Sequence, residues 1–260
     1  MSNEQKEYLK KEKKKKHFIL LIQIFILFIF FIIWEVLAKI GIINTFIFSS
    51  PSRIIDTIHN LYVQNNLFNH IFITVYETII AFIIGLLISL VISTLLYLYN
   101  NLYKVLDPFL TCINSLPKVA LGPMIIILVG ANTKSIIVMA ILINVIVTTI
   151  VITNGFYNTD KLKLKLMKSF NASKYQTLRY LVFPSSYKTI ISSFKLGISM
   201  SLIGVITGEF LVSQAGLGYL IIYGTQVFNL DLVISGIILL VLISYVLYKI
   251  VEYIEKILLK

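Results

Sequence analysis

Long runs of hydrophobic residues, separated by short polar segments, occupy most of the chain. An α-helix crosses a membrane with roughly 20 apolar residues, and the pattern predicts six such helices. They fall at about 18–38, 72–99, 108–130, 135–157, 191–212 and 231–251. Lys118 interrupts the third of these helices, and Glu209 interrupts the fifth. The pattern therefore predicts an all-α integral membrane fold with about six transmembrane helices.

The helices divide the chain into four segments. They are a basic N-terminus at 1–17, a first transmembrane helix with an outer connection at 18–71, a transmembrane core at 72–251, and a C-terminus at 252–260. The core includes a polar loop at 158–190. In the outer connection, apolar residues recur at helical spacing, which is typical of an interfacial amphipathic helix. They are Ile54, Ile55, Ile58, Leu61 and Tyr62.

The composition is that of a chain in contact with lipid. Hydrophobic residues make up 58% and charged residues 13%, and the mean hydropathy is +0.90, far from a soluble domain. The net charge of +11 does not indicate a nucleic-acid partner, because the basic residues form short clusters between apolar runs. The single cysteine excludes a disulfide within the chain, and the three scattered histidines predict no metal site.

Lysine and arginine predict the orientation in the membrane. Seven lysines precede the first helix, and eight basic residues lie at 158–195, from the end of the fourth helix to the first turns of the fifth. The opposite side has only Lys39, Arg53 and Lys134. We therefore expect both termini and the 158–190 loop to be cytoplasmic. The N-terminal lysines also suit a secretory signal, but no small-residue cleavage site follows them.

The 158–184 loop predicts two short amphipathic helices. Leu162, Leu166, Met167 and Phe170 share one helical face. Ser173 precedes Gln176 by three positions, the spacing of a capping box that starts a second helix, and Pro184 is expected to end that helix. Two interpretations stay open. The helices rest on the anionic inner leaflet, or the turn from Phe170 to Ser173 docks a soluble partner.

Prolines and ionisable residues mark the predicted membrane helices. Pro117 and Pro123 interrupt the third helix, and their freed carbonyls favour an interior position. Lys118 beside them either attracts an anionic solute or serves a structural role at the headgroups. Glu209 is a candidate for the pathway or for a structural contact.

Small residues on one face of the fifth helix predict close helix packing. They are Gly197, Ser201, Gly204 and Gly208.

A phosphate-binding loop of the form G-x-x-x-x-G-K-[ST] does not occur in the chain. We therefore do not expect it to hydrolyse ATP by that route, and no catalytic or metal-binding residues are assigned. The chain is predicted not to be an enzyme.

Several motifs resemble those of bacterial ABC transporter permeases, in the branch for nitrate, sulfonates and taurine. They are SPSR at 50–53, NSLPKVALGP at 114–123, GEFL at 208–211 and GLGYLI at 217–222. The loop keeps the spacing of the family's E-A-A loop, which ends in I-x-L-P. Its register places Lys165, Leu166 and Met167 on E-A-A, Asn171 on the glycine, and residues 181–184 on I-x-L-P. Several letters of that motif differ here.

The resemblance implies a permease subunit of type I ABC importers (MetI-like) in the bacterial cytoplasmic membrane. It implies three partners: an ATPase subunit that binds ATP, an extracytoplasmic substrate-binding protein, and a second permease copy. The coupling residues would be Lys165, Leu166, Met167, Phe170, Asn171, Ala172, Ser173 and Pro184. The pathway residues would be Pro117, Lys118, Pro123 and Glu209.

The expected solute is small and anionic. The alternatives are a vitamin-precursor pyrimidine for the same kind of permease, or a self-sufficient secondary transporter. An inverted repeat or paired intramembrane charges would favour the secondary transporter.

Overall fold

The structure, a computed structural model, describes residues 3–64 and 66–259, without the side chains of residues 3–11, 13, 16, 17 and 20. Met1, Ser2 and Lys260 of the predicted terminal segments, and Asn65 of the outer connection, lie outside the described residues. Every regular element in the described part of the chain is a helix.

The helices follow one another with short connections. The first group is α1 (Asn3–Lys39), α2 (Thr45–Phe48), α3 (Pro51–Val63) and α4 (Leu67–Leu98). The second is α5 (Asn100–Ser115), a 3₁₀ turn (Lys118–Leu121), α6 (Gly122–Val129) and α7 (Thr133–Tyr157). The third is α8 (Lys161–Ser169), α9 (Lys174–Thr177), a π turn (Leu178–Val182) and α10 (Phe183–Val212). The chain then forms α11 (Leu217–Gln226) and α12 (Leu230–Leu258).

Five of these stretches are long and apolar enough to cross a membrane, and a bent pair brings the number to six. The five are Leu21–Lys39, Leu67–Leu98, Thr133–Tyr157, Lys174–Gln226 and Leu230–Leu258. This confirms the predicted all-α membrane fold with about six spans. Several boundaries differ, since α4 begins at Leu67 and α10 at Phe183.

The predicted third helix, at 108–130, is instead two helices bent by 98°. The break lies at Leu116, whose extended backbone is what a residue before proline prefers. Pro108 lies inside α5. Pro123 lies in the first turn of α6. Backbone N–H groups in a first turn have no partner within the helix, so proline costs no hydrogen bond there. Of the two prolines expected to interrupt the helix, Pro117 marks the break and Pro123 supports a helix start.

The prediction that Pro184 ends the second loop helix is wrong. The chain stays helical from Lys174 to Val212, and Pro184 lies in the first turn of α10. The residues just before it form a π turn, in which the Phe183 N–H donates to the Leu178 carbonyl. We attribute the continuity to this wider turn, which accommodates a proline ring that a regular α-helix would not.

The predicted amphipathic helix of the outer connection is α3, and it packs on protein. Ser50 accepts a hydrogen bond from the Arg53 N–H and caps the helix. Ile54 is buried, and Ile58 and Leu61 pack against a core cluster from α4, α11 and α12. The Arg53 guanidinium meets Asp231 of α12 at 2.6 Å. Three of the five predicted apolar residues, Ile54, Ile58 and Leu61, are therefore directed at neighbouring helices, whereas Ile55 and Tyr62 are exposed.

Helices α4, α7 and α10 form the centre of the molecule, and α10 approaches α7 through residues without bulky side chains. A Cβ on Gly204 would overlap the Ala140 backbone, and one on Gly208 would lie 2.9 Å from Ile136. A Cβ on Gly197 would lie 3.1 Å from Phe82 of α4. Ser201 is buried on the same face. The structure thus places all four predicted packing residues inside the bundle.

A polar residue that the sequence did not reveal joins α7 to α4. The Asn144 side-chain amide donates to the Phe82 carbonyl at 3.3 Å, and its oxygen accepts from the Thr148 hydroxyl at 2.6 Å. A Cβ on Gly85 would lie 2.5 Å from the Asn144 amide nitrogen, so the glycine admits this side chain. Buried amides that bond across helices are typical of membrane interiors.

The bundle has two ends, which we name by their elements. At the loop end lie the C-terminus of α4 and residues 158–182, joined by a hydrogen bond from Lys174 to the Leu98 carbonyl. At the α3 end lie the N-termini of α4 and α12 and the C-terminus of α10, where Arg53 meets Asp231 and Thr74 meets Glu209.

We expect Gly204→Ala to destabilise the protein by about 1–3 kcal/mol, because its Cβ would meet the Ala140 backbone, which has no flexible end to move aside. Thermal unfolding of the detergent-solubilised protein measures the effect. Ile203→Ala is the matched control, since Ile203 lies on the exposed face of the same helix. Equal unfolding temperatures for Gly204→Ala and the wild type would contradict the close packing.

Candidate functional site

The loop between α7 and α10 forms a helix, a tight turn and a second helix start. Asp160 caps α8 by accepting from the Leu162 N–H at 2.8 Å. At the other end of α8, the Asn171 N–H donates to Lys168 and the Ala172 N–H to Met167, the two hydrogen bonds of a Schellman motif. Asn171 has a positive φ of 54° there. Asparagine tolerates this left-handed conformation, which is why it stands where the resembling family has glycine.

The second helix begins with the predicted capping box. The Gln176 N–H donates to the Ser173 hydroxyl at 3.2 Å, and the Ser173 N–H donates to the Gln176 side chain at 2.7 Å. Such reciprocal bonds satisfy two backbone donors at a helix start. The turn Phe170–Ser173 therefore has a defined shape that its own residues impose.

An apolar ridge projects from α8. Leu162, Leu166 and Phe170 repeat every four residues and have exposed fractions of 74%, 55% and 73%. Leu164 of the same helix packs against the core, so α8 rests on the bundle with its other side. Met167 and Ala172 are half-buried, and Lys165 is exposed. The ridge is the part of the loop that is free to contact another molecule.

The loop is attached firmly to the bundle behind it. The Lys174 ammonium donates to the Leu98 carbonyl at 2.6 Å, at the C-terminal end of α4, where a cation is favourable. Leu178 and Val182 of the π turn are buried in a cluster with Tyr97, Ile152 and Phe156. The loop is therefore packed directly against α4 and is continuous with α10.

The predicted pathway residues Pro117, Lys118 and Pro123 lie together at the break between α5 and α6. The Lys118 ammonium donates to the Asn114 carbonyl at 3.1 Å and so satisfies a group that the break frees. Lys118 is half-buried. Next to the break, α6 buries only Gly122 and Ile125. Val129 also packs against a core cluster, whereas Met124, Ile127 and Leu128 are exposed.

Glu209, the fourth predicted pathway residue, lies elsewhere, at the α3 end. Its carboxylate is 1% exposed and accepts from the Thr74 hydroxyl at 2.6 Å and from the Gly218 N–H at 2.5 Å. It thereby holds the loop between α10 and α11. Gly216 in that loop has φ of +115°, and a Cβ there would overlap the Glu209 carboxylate.

Two residues of α4 complete this cluster, and sequence reasoning assigned them no role. The Thr74 hydroxyl also accepts from the Leu217 N–H at 2.8 Å. The His70 Nδ1 accepts from the Gly216 N–H at 3.0 Å, which requires that nitrogen to be unprotonated. The only sign of this contact in the sequence is that His70 and Thr74 lie one helical turn apart. Threonines are frequent throughout the membrane helices, so this spacing does not single out Thr74.

Two cavities open beside this cluster. One, of about 630 Å³, is lined mainly by uncharged polar side chains, among them Asn60, Gln64, Asn69, His70, Tyr219 and Tyr223. The other, of about 500 Å³, lies between α4, α7 and α10, and Glu77 is in its wall. Both volumes suit a small solute. The α3 end thus combines cavities with buried polar groups, whereas the loop end presents a convex surface.

Comparison with known proteins connects these features. Residues 85–260 match the family described as binding-protein-dependent transport system inner membrane component. A relative in Haemophilus influenzae, a probable ABC transporter permease protein, is 28% identical over 221 residues, covering 85% of this chain and 89% of the relative. The putative aliphatic sulfonates transport permease protein SsuC of Bacillus subtilis is 23% identical over 228 residues, covering 88% of this chain and 83% of the relative.

A solved structure shares the fold. A chain of the MetNI methionine ABC transporter in an inward-facing conformation aligns with a TM-score of 0.65 at 17% identity, over 74% of this chain and 95% of that chain. The predicted fold class, that of type I importer permeases, is confirmed. Since the identity is low, this likeness concerns the fold alone.

We expect Thr74→Val to destabilise the protein by about 1–3 kcal/mol, because it leaves the Glu209 carboxylate and the Leu217 N–H short of a buried partner. Thr78→Val is the matched control. Thr78 is equally buried, but its hydroxyl donates only to the Thr74 carbonyl of its own helix. Thermal unfolding of both variants measures the difference, and equal losses would contradict the bridging role of Thr74.

Proposed function

The chain belongs to the family of binding-protein-dependent transport system inner membrane components, the permease subunits of ABC importers, and on that premise we propose that it carries a small anionic solute across the membrane and couples to a separate ATPase through residues 158–184. The observation that carries the proposal is the exposed ridge and turn at the loop end, rigidly joined to α10 and α4.

The geometry of the loop supports the coupling role. The ridge offers exposed apolar surface of the kind that a groove on a soluble partner buries. The turn Phe170–Ser173 has a fixed backbone, so a partner meets a shape that needs little ordering on binding. Because the chain has no phosphate-binding loop of its own, ATP would bind to the partner subunit. The permease then acts as the part that moves.

The charge distribution supports a loop end that faces the cytoplasm. The basic residues of 158–195 lie in the loop or in the first part of α10, which begins at the loop end. The basic residues of the C-terminus lie near the same end, where Lys195 pairs with Glu255. Lysines near membrane helices favour the cytoplasmic side. In this orientation the α3 end, with its cavities, faces outward. An extracytoplasmic substrate-binding protein would deliver the solute there, and two copies of the permease would enclose the pathway in the bacterial cytoplasmic membrane.

The nature of the solute is inferred from two observations. The relative in Bacillus subtilis is named for aliphatic sulfonates, and Lys118 places a half-buried positive charge at the break of the third span. Both favour a nitrate-, sulfonate- or taurine-like anion. A vitamin-precursor pyrimidine is the alternative for the same permease.

We expect an ABC-type ATPase and a substrate-binding protein to co-purify with the tagged chain after gentle extraction from its native membrane. Mass spectrometry identifies the partners, and the ligand of the binding protein identifies the solute. Recovery of the chain alone, under conditions in which a known transporter complex survives, would contradict the proposal and favour a self-sufficient transporter.

We expect Ala172→Asp to abolish ATP-driven uptake and to reduce the amount of ATPase that co-purifies, because it introduces a charge into the half-buried centre of the turn. Uptake by reconstituted complexes and unfolding temperature are measured together. Ser185→Asp is the control, since it adds the same charge at an exposed position outside the turn. Wild-type uptake by Ala172→Asp would exclude the turn as the docking site.

A further inference from the structure

Two buried carboxylates lie beside each other where α4 meets α10, at the α3 end. Glu77 and Glu209 are each 1% exposed, and Glu77 lies three residues after Thr74 on α4, whose hydroxyl donates to Glu209. Among the described residues, neither has a lysine or arginine partner. The described ion pairs all lie elsewhere: Lys39–Glu35, Arg53–Asp231, Lys195–Glu255, Lys249–Glu252 and Lys256–Glu252. Negative charge is costly in such a place unless a positive group offsets it.

The two carboxylates differ in their contacts. Glu209 uses both oxygens, one toward the Thr74 hydroxyl and one toward the Gly218 N–H. Both oxygens of Glu77 are buried, and neither has a hydrogen-bond partner among the described residues. Nearly all buried polar atoms in native proteins have a partner. A carboxylate left unpartnered in this way is a candidate to bind a group from outside the chain.

A cavity adjoins Glu77. The residue is in the wall of the cavity of about 500 Å³ between α4, α7 and α10, although its two carboxylate oxygens are themselves covered. Phe72 and Tyr76, from the same helix, also line this cavity, and their rings stack with centroids 6.0 Å apart. No lysine or arginine is among the described residues that line it. Aromatic rings beside a carboxylate are the surroundings that bind ammonium groups in proteins.

We propose that Glu77, with Glu209 behind it, binds a singly charged cation that enters through this cavity: either the protonated amine of the transported solute or a small inorganic cation. Glu77 supplies the direct contact. Glu209, held in place by Thr74 and Gly218, adds a second negative charge close to the first.

The inference rests on the proposed transport function and makes it more specific. A solute with both an acidic group and an amine would place its amine at Glu77. Its acidic group would then lie among the hydroxyl and amide groups in the same cavity wall, Asn132, Thr133, Ser213 and Gln214. A zwitterionic solute would therefore satisfy both the expected preference for an anion and the proposed cation site.

Carbodiimide labelling tests the site, because this reagent modifies carboxyl groups in apolar surroundings and a bound cation slows it. The purified complex of permease, ATPase and binding protein is treated with dicyclohexylcarbodiimide, and modification of Glu77 is quantified by peptide mass spectrometry. Methylammonium chloride and sodium chloride are compared at constant ionic strength, which bulky tetrapropylammonium chloride maintains. We expect at least one of the two small cations to slow the modification of Glu77.

The outcomes separate the two sources of the cation. Protection by methylammonium alone assigns the site to the amine of the solute, and protection by sodium alone assigns it to an inorganic cation. Protection by both assigns it to small monovalent cations in general. Modification at the same rate in all three salts shows that the carboxyl pair holds a shared proton only, and overturns the proposal.

A direct binding measurement tests the site even if Glu77 does not react with the carbodiimide. Equilibrium dialysis of the same complex against radiolabelled methylammonium and radiolabelled sodium compares wild type with Glu77→Gln. We expect roughly thirtyfold weaker binding of the cation in the variant, or a larger loss, since thirtyfold is the lower end of what the loss of one partner of a buried charge pair costs. Binding that Glu77→Gln leaves unchanged, or binding of neither cation to the wild type, overturns the proposal.

Two controls make the result specific. Glu255→Gln removes a carboxylate that is already paired with Lys195, and it is expected to leave cation binding unchanged. The composition of the complex separates this proposal from the proposed function. A complex that contains the ATPase and the binding protein but shows no cation binding overturns the cation site alone, whereas a chain that purifies without them bears on the proposed function.

Discussion

The close approach of α10 to α7 is the contact on which the remaining structure depends. Lipid gives two apolar helices no hydrophobic reason to associate, so van der Waals contact and buried hydrogen bonds must hold them together. The absence of a side chain at Gly204 and Gly208 lets the two backbones meet. This contact brings α10 into the centre, and it is what places Glu209 against Thr74 of α4 and keeps the start of α10 in the cluster with Tyr97 and Phe156.

The two regions of functional interest are parts of one helical stretch. Residues 174–212 run without interruption from the capped turn at the loop end to Glu209 at the α3 end. The single irregularity within the stretch is the π turn, which is buried in the core. A partner that moves the loop therefore acts on the same helix that carries Glu209, one of the two buried carboxylates. Coupling between the ends requires no chain of intermediate contacts.

Local patterns predicted local structure well. The apolar runs predicted the spans because each run is a property of consecutive residues, and the spacing of Ser173 and Gln176 predicted the capping box for the same reason. The register of the loop placed Asn171 on the family's glycine, and Asn171 has the left-handed backbone that glycine favours. The bend before Pro117 and the continuous helix through Pro184 were harder, because a proline has different effects in a first turn, a π turn and a helix interior.

Contacts between distant segments could not be predicted from the sequence. Thr74 meets Glu209 across 135 positions of the chain, and one threonine among many in the membrane helices gives no sign of this. His70 and Asn144 are similar cases, since their partners are backbone groups of other segments. Glu77 is an ionisable residue within an apolar run. Its meaning appeared only when the fold placed it beside a second carboxylate and a cavity.

The uninterrupted helix from Lys174 to Val212 also has a mechanical consequence. At 1.5 Å per residue it is about 58 Å long, so a tilt of about 5° imposed at one end displaces the other by about 5 Å, if the stretch stays rigid. In the proposed coupling to an ATPase it would act as a lever arm, whose length would convert a small angular change at the loop into a movement as wide as a small solute. The hydrogen bond from the Lys174 ammonium to the Leu98 carbonyl, at the end of α4, would make α4 tilt together with this stretch. Two helices rather than one would then move.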